Sequence, residues 1–171
     1  MGELAVTAVG ADRPGIIARV TGVLHDLGGN IEDASSTILG GQFAMMLLVD
    51  TPIEPAVLES ALAAASADLG LFVTVRAVGE GSPAVPPTHV LTVYGADRPG
   101  IVRGVAQALA DRGVNVTDLT TRVLEGEGSV YVLMMEISLP PDEDADALTG
   151  LIADAVSGVE VRIRPLDAAT F

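Results

Sequence analysis

The stretch VGADRPGI, Val9–Ile16, returns as YGADRPGI, Tyr94–Ile101. Seven consecutive residues, Gly10–Ile16, recur at an offset of 85 residues as Gly95–Ile101. The identity runs on into the flanks. IIARVTGVLHDLGGNIED (Ile16–Asp33) aligns without a gap with IVRGVAQALADRGVNVTD (Ile101–Asp118). The pairs Val20/Val105, Leu24/Leu109, Asp26/Asp111, Gly28/Gly113, Asn30/Asn115 and Asp33/Asp118 are identical. Such a match marks a duplicated unit. Its period exceeds the ~20–50 residues of solenoid repeats and suits two copies of a small domain.

Each copy spells the same order of elements. Leu4–Gly10 reads as a strand. Pro14 opens a helix, because the first helical N–H needs no partner. Ile16, Ile17, Val20, Val23, Leu24 and Leu27 share one face at helical spacing, and Gly28–Gly29 end it. Asn30–Leu39 reads as strand, Gly40–Gly41 as a hairpin turn, and Phe43–Val49 as a buried strand. Pro52 and Pro55 open a second helix with Val57, Leu58, Ala61, Leu62, Ala65 and Leu69 inward, and Leu71–Val78 is the last strand. The second copy predicts strands at Val90–Tyr94, Asn115–Leu124, Val130–Leu139 and Val159–Arg164, with helices at Pro99–Arg112 and Asp142–Val156. The expected fold is α+β. Each copy is a ferredoxin-like βαββαβ unit, a four-stranded antiparallel sheet with both helices on one face. The domains are expected at 1–78 and 89–171. GEGSPAVPPT between them reads as an extended, semi-rigid Pro/Gly linker over 79–88. Each sheet has one face without a helix, which predicts further burial between copies or between chains.

Composition narrows the function. Net charge is −14, from nine Lys and Arg against 23 Asp and Glu. Such a chain repels phosphate backbones and anionic membranes, so no direct nucleic-acid or membrane partner is expected. There is no Cys, which removes disulfides and thiolate chemistry. The N-terminus lacks the pattern of a signal peptide, and no apolar run reaches the ~20 residues of a membrane span. The expected location is cytoplasmic. His25 and His89 are the only histidines, and no spacing supports a metal site. No cofactor is expected. Met45, Met46, Met134 and Met135 read as core filler.

The repeated turn is the candidate site. It lies where a strand ends and a helix begins, so unpaired helical N–H groups favour a carboxylate or phosphate there. Asp12 could cap the helix or accept from an ammonium group. Arg13 could pair with an anion. Asn30 and Asn115, each eighteen residues after the repeated Asp, open the second strand and are expected near the turn. An amide both donates and accepts, which suits a zwitterion. Turn and cap chemistry alone also account for these residue types.

Together the DRPGI turn, the GxNI pair and the GxF hairpin (Gly41–Phe43) resemble the ACT domain. They are most similar to tandem ACT proteins of the glycine cleavage repressor type, and to the N-terminal module of formyltetrahydrofolate deformylases. The resemblance implies an amino acid held between two ACT units at the turn and first helix. It places the site at Asp12, Arg13, Gly15, Ile16, Asn30 and Ile31, and at Asp97, Arg98, Gly100, Ile101, Asn115 and Val116. Serine-binding relatives have an amide where Asp12 and Asp97 stand, a departure that favours an ammonium and disfavours a second carboxylate. The second copy departs further, with Val114 for Gly29 and a longer hairpin carrying Glu125 and Glu127. The expected function is a non-catalytic amino-acid sensor, a homodimer acting through a protein partner. The alternative is an interaction module without a ligand. Catalysis is not expected, since a deformylase needs a further segment beyond Phe171.

Overall fold

The computed structural model describes residues 2–79, 85–124 and 129–166. The chain divides into two compact units, residues 1–82 and 83–171. Unit 1 contains β1 (Gly2–Ala11), α1 (Ile16–Asp26), β2 (Asn30–Leu39), β3 (Gln42–Thr51), α2 (Pro55–Ala65) and β4 (Phe72–Ala77), with a 3-10 turn at Ala67–Leu69. Unit 2 contains β5 (His89–Ala96), α3 (Ile101–Asp111), β6 (Asn115–Leu124), β7 (Val130–Ser138), α4 (Ala145–Ala155) and β8 (Val159–Pro165). The sheets are antiparallel, in the orders β2-β3-β1-β4 and β6-β7-β5-β8. Each unit is therefore the expected ferredoxin-like βαββαβ fold.

Alternation along the strands builds one core per unit. Leu4, Val6 and Ala8 of β1 and Phe43, Met45, Leu47 and Val49 of β3 turn one way, onto Ile16, Val20, Leu24, Leu58 and Leu62 of the helices. Unit 2 repeats the scheme, with Leu91, Val93, Leu133, Met135 and Ile137 against Ile101, Val105, Leu109, Leu148 and Ile152. Burying a side chain of this size stabilises by ~1.5–3 kcal/mol, so these two clusters hold the units together.

Several expectations need correction. Met46 and Met134 are not core filler. They are about half exposed, at 48% and 47%, because they point to the sheet face that carries no helix. Ile17 and Val57 lie on solvent sides of their helices, at 51% and 56% exposure. Pro14 and Pro99 sit in the turns, and the helices begin two residues later. From Glu32 onward β2 is exposed on both faces, as is most of β6, since the cores form over the other three strands of each sheet.

Part of the linker belongs structurally to unit 2. The Ser138 hydroxyl donates to the carbonyls of Val85 and Pro86 at 3.2 and 2.8 Å. The Leu139 N–H donates to the Thr88 hydroxyl at 3.0 Å. Residues 80–84 of the linker reading, and the second hairpin with Glu125 and Glu127, fall outside the described residues.

Candidate functional site

Most positions of GADRPGI have a packing reason. Gly10 and Gly95 let the chain entering the last strand approach closely. A Cβ on Gly10 would lie 2.8 Å from Leu71 Cδ2 and 3.2 Å from the Gly70 carbonyl; on Gly95 it would lie 2.8 Å from Val159 Cγ1 and 3.2 Å from the Gly158 carbonyl. Gly15 and Gly100 have φ of 92° and 98°, left-handed values that a side chain disfavours. Ile16 and Ile101 are 2% exposed core residues. Only their backbone N–H groups can reach a ligand. Pro14 and Pro99 fix the turn.

Asp12 and Asp97 have no such reason. Both are exposed. Neither caps its helix, because α1 and α3 have no side-chain cap bond. α4 provides the contrast. The Asp144 carboxylate accepts from the N–H groups of Asp146 and Ala147 at 2.8 and 3.0 Å. The Asp12 backbone N–H donates to the Gly41 carbonyl at 2.9 Å, tying the corner to the β2–β3 turn. The Asp12 side chain has no hydrogen-bond partner among the described residues, nor has that of Asp97. The corner thus combines open helical N–H groups, which attract anions, with a carboxylate able to accept from a cation.

The arginines differ between copies. The Arg98 guanidinium donates to the Ser157 carbonyl beyond α4. Arg13 makes no hydrogen bond among the described residues and is exposed.

Each corner opens into a groove along its first helix. Gly15, Ala18, Arg19, Gly22, Val23 and Asp26 line a space of about 440 Å³. Gly100, Arg103, Gly104, Gln107, Ala108 and Asp111 line one of about 470 Å³, with Leu151 and Ala155 of α4. The two sets occupy the same six positions of the repeat. Both grooves are shallow and open to solvent. Sequence reasoning does not find this face. Its signal is the run of small residues Gly15, Ala18 and Gly22 at helical spacing. Ion pairs frame the region. Arg19 meets Asp68 at 3.0 Å, and Arg112 meets Glu143 at 2.8 Å. Hydrogen bonds from Arg112 to Glu143 raise the Arg112 pKa above its ordinary value.

The asparagines are not where the spacing suggests. β1 and β2 run in the same direction with β3 between them. Asn30 is level with Asp50 and Glu3, whereas the corner follows Ala11. Eight strand residues, roughly 26 Å at 3.3 Å each, separate the two levels. Asn115 likewise pairs with Ser138, at the end of the sheet where β5 begins. Within one unit, Asp and Asn therefore do not converge. Ile31 and Val116 are half-buried against the two cores.

Comparison with known proteins agrees with this architecture. ACT-domain family models match residues 3–76 and 89–153. The chain belongs to the ACT-domain family. The glycine cleavage system transcriptional repressor of Escherichia coli is 29% identical over 147 residues, covering 84% of this chain and 77% of its own. A crystallised protein from Galdieria sulphuraria superposes with a TM-score of 0.77 at 26% identity, covering 97% and 99% of the two chains. A structure assigned as a glycine cleavage system transcriptional repressor gives 0.72 at 19% identity, covering 96% and 97%, and so supports the tandem ACT fold. ACT membership and the repressor homology support a regulatory, ligand-binding role. No helix among the described residues is long and apolar enough to cross a membrane.

Proposed function

We propose that the protein is a non-catalytic, cytoplasmic regulator that binds an amino acid at an ACT–ACT interface and signals to a protein partner. The observation that carries this reading is the state of Asp12 and Asp97. They are repeated, exposed and without a partner among the described residues, beside helix N-termini that no side chain caps. An amino acid complements both features. Its carboxylate suits the open N–H groups of the first turn, and its ammonium suits the Asp carboxylate. The Asn that would complete the site has to come from a second unit. Two units set antiparallel bring the corner end of one beside the Asn30 or Asn115 end of the other. A ligand held at such a junction binds one arrangement of the units better than others and so shifts its population, which a partner can read. A role in glycine or one-carbon regulation follows from the repressor homology, exerted through the partner because the chain carries net charge −14. The homodimer is part of the same reading.

Isothermal titration with each of the twenty amino acids tests it. Binding by at least one is expected, weakened in Asp12→Ala and Asn30→Ala. No heat from any of them would remove the sensing role. Turnover of formyltetrahydrofolate by the purified chain would overturn the non-catalytic reading.

A further inference from the structure

The two copies use their arginines differently. In unit 1, Arg19 of α1 holds the end of α2. Its guanidinium donates to the carbonyl of Ala65, the last residue of α2, and to the Asp68 carboxylate at 3.0 Å. Carbonyls in the last turn of a helix lack an intrahelical partner, so a cation there satisfies both an acceptor and the dipole. In unit 2 the position of Arg19 is taken by Gly104. A Cβ there would lie 2.6 Å from Cγ2 of Val156, the C-cap of α4, so an arginine stem has no room. The end of α4 is held from the corner instead, where Arg98 donates to the Ser157 carbonyl.

Loop length accounts for the exchange. Three residues, Ala67–Leu69, separate the C-cap Ser66 from Gly70, whereas Ser157 alone separates the C-cap Val156 from Gly158. Gly70 and Gly158 hold equivalent places, each carbonyl 3.2 Å from where a Cβ on Gly10 or Gly95 would stand. The short connection sets the Ser157 carbonyl within reach of Arg98. The longer one winds as a 3-10 turn, and Arg13 finds no such acceptor among the described residues. Unit 2 has an unengaged cation elsewhere. Arg103, in the first turn of α3, stands where unit 1 has Ala18 and lines the groove with Gly100 and Gln107. It is exposed and makes no hydrogen bond or ion pair among the described residues.

We infer that the two corners read a ligand's carboxylate with different arginines, Arg13 in unit 1 and Arg103 in unit 2, while Arg19 and Arg98 serve the helix ends. This deepens the amino-acid site of the proposed function and rests on it. Each unit then has one arginine for its fold and one for the ligand, with their places exchanged. A guanidinium binds a carboxylate through parallel N–H donors, and so reinforces the open N–H groups of the first helical turn. The cation precedes the helix in unit 1 and lies within it in unit 2. The two sites of one chain therefore bind the same amino acid with unequal affinity, and Arg98 is no substitute for Arg13 although the repeat makes them equivalent.

Isothermal titration of the full chain with each of the twenty amino acids tests the inference. Two classes of site are expected. Arg13→Gln and Arg103→Gln should each weaken one class by about tenfold, the effect of losing a charge-assisted hydrogen bond, and leave the melting temperature unchanged. Arg19→Gln and Arg98→Gln should leave both classes within threefold of wild type and lower the melting temperature instead. All four arginines are exposed, and circular dichroism checks that each variant is folded. Absence of binding by any amino acid to the wild type would remove the proposed function and this inference together. Binding through a single class of site, a loss below threefold in either Arg13→Gln or Arg103→Gln, or a tenfold loss in Arg98→Gln would overturn the arginine assignment alone and leave amino-acid binding standing.

Discussion

Replacing Asp97 with Ala should cost unit 2 almost no stability, whereas replacing Asp144 should cost it about 1 kcal/mol. Both residues precede a helix in the same unit, so they share one unfolding reference. Asp144 is the N-cap of α4 and accepts two backbone N–H bonds at 2.8 and 3.0 Å. Loss of an Asp cap to Ala costs ~0.5–2 kcal/mol. Asp97 stands three residues before Gly100, the N-cap of α3, and accepts from no backbone group there. Its loss falls under the ~0.5 kcal/mol of surface substitutions without a structural role. With a urea dependence of ~1–3 kcal/mol per M, Asp144→Ala should lower the midpoint by roughly 0.5 M and Asp97→Ala should leave it in place. Urea titration followed by circular dichroism reads both. If Asp97→Ala costs as much as Asp144→Ala, the repeated Asp is a helix cap, and the case for its being held for a ligand fails.

Further outcomes follow from packing. Gly22, inside α1, has no other described residue outside its own helical turn within 4 Å of where an added methyl would stand, so Gly22→Ala should stabilise unit 1 by about 0.5–1 kcal/mol through helix propensity. At Gly104, inside α3, that methyl would lie 2.6 Å from Val156 Cγ2. The same substitution there should lose its gain to overpacking of ~1–3 kcal/mol, and Val156→Ala should restore part of it; thermal melts of the variants check both claims. The Ser66 hydroxyl is buried without a hydrogen-bond partner among the described residues, so Ser66→Ala should be neutral or stabilising by up to about 1 kcal/mol. A clear loss of stability in Ser66→Ala would show that the hydroxyl has a partner.

The fold is legible because the chain states it twice. A strand or helix proposed in one copy has to be repeated in the other, and the αL glycines at the corners and helix ends and the helical spacing of Val20, Leu24, Val105 and Leu109 agree. What sequence does not reveal is which residues lie side by side. The constant spacing between Asp12 and Asn30 suggests nearness, but β2 lies beyond β3 and runs parallel to β1, so that spacing carries the chain to the other end of the sheet. The apolar run of β3 conceals a second fact. Phe43, Met45 and Leu47 enter the core, while Met46 emerges on the opposite face. Alternation distinguishes two faces of a strand without saying which one a helix covers. The helix groove escapes notice for a related reason. Its small residues form a surface only when Gly15, Ala18 and Gly22 are wound onto one side of α1.

The glycine at each corner has a further consequence. Among the described residues, none beyond the adjoining ones in the chain comes within 4 Å of where a methyl on Gly15 or Gly100 would stand, and φ is strongly positive. The demand is therefore one of handedness, not of room. A residue of inverted chirality would satisfy it, since the mirror-image backbone preference makes this region natural for a D-amino acid. In a semisynthetic chain, D-alanine at these corners would narrow the unfolded ensemble without straining the folded one. L-alanine would carry the same atoms and meet the penalty of the left-handed region, so the two enantiomers would move stability in opposite directions.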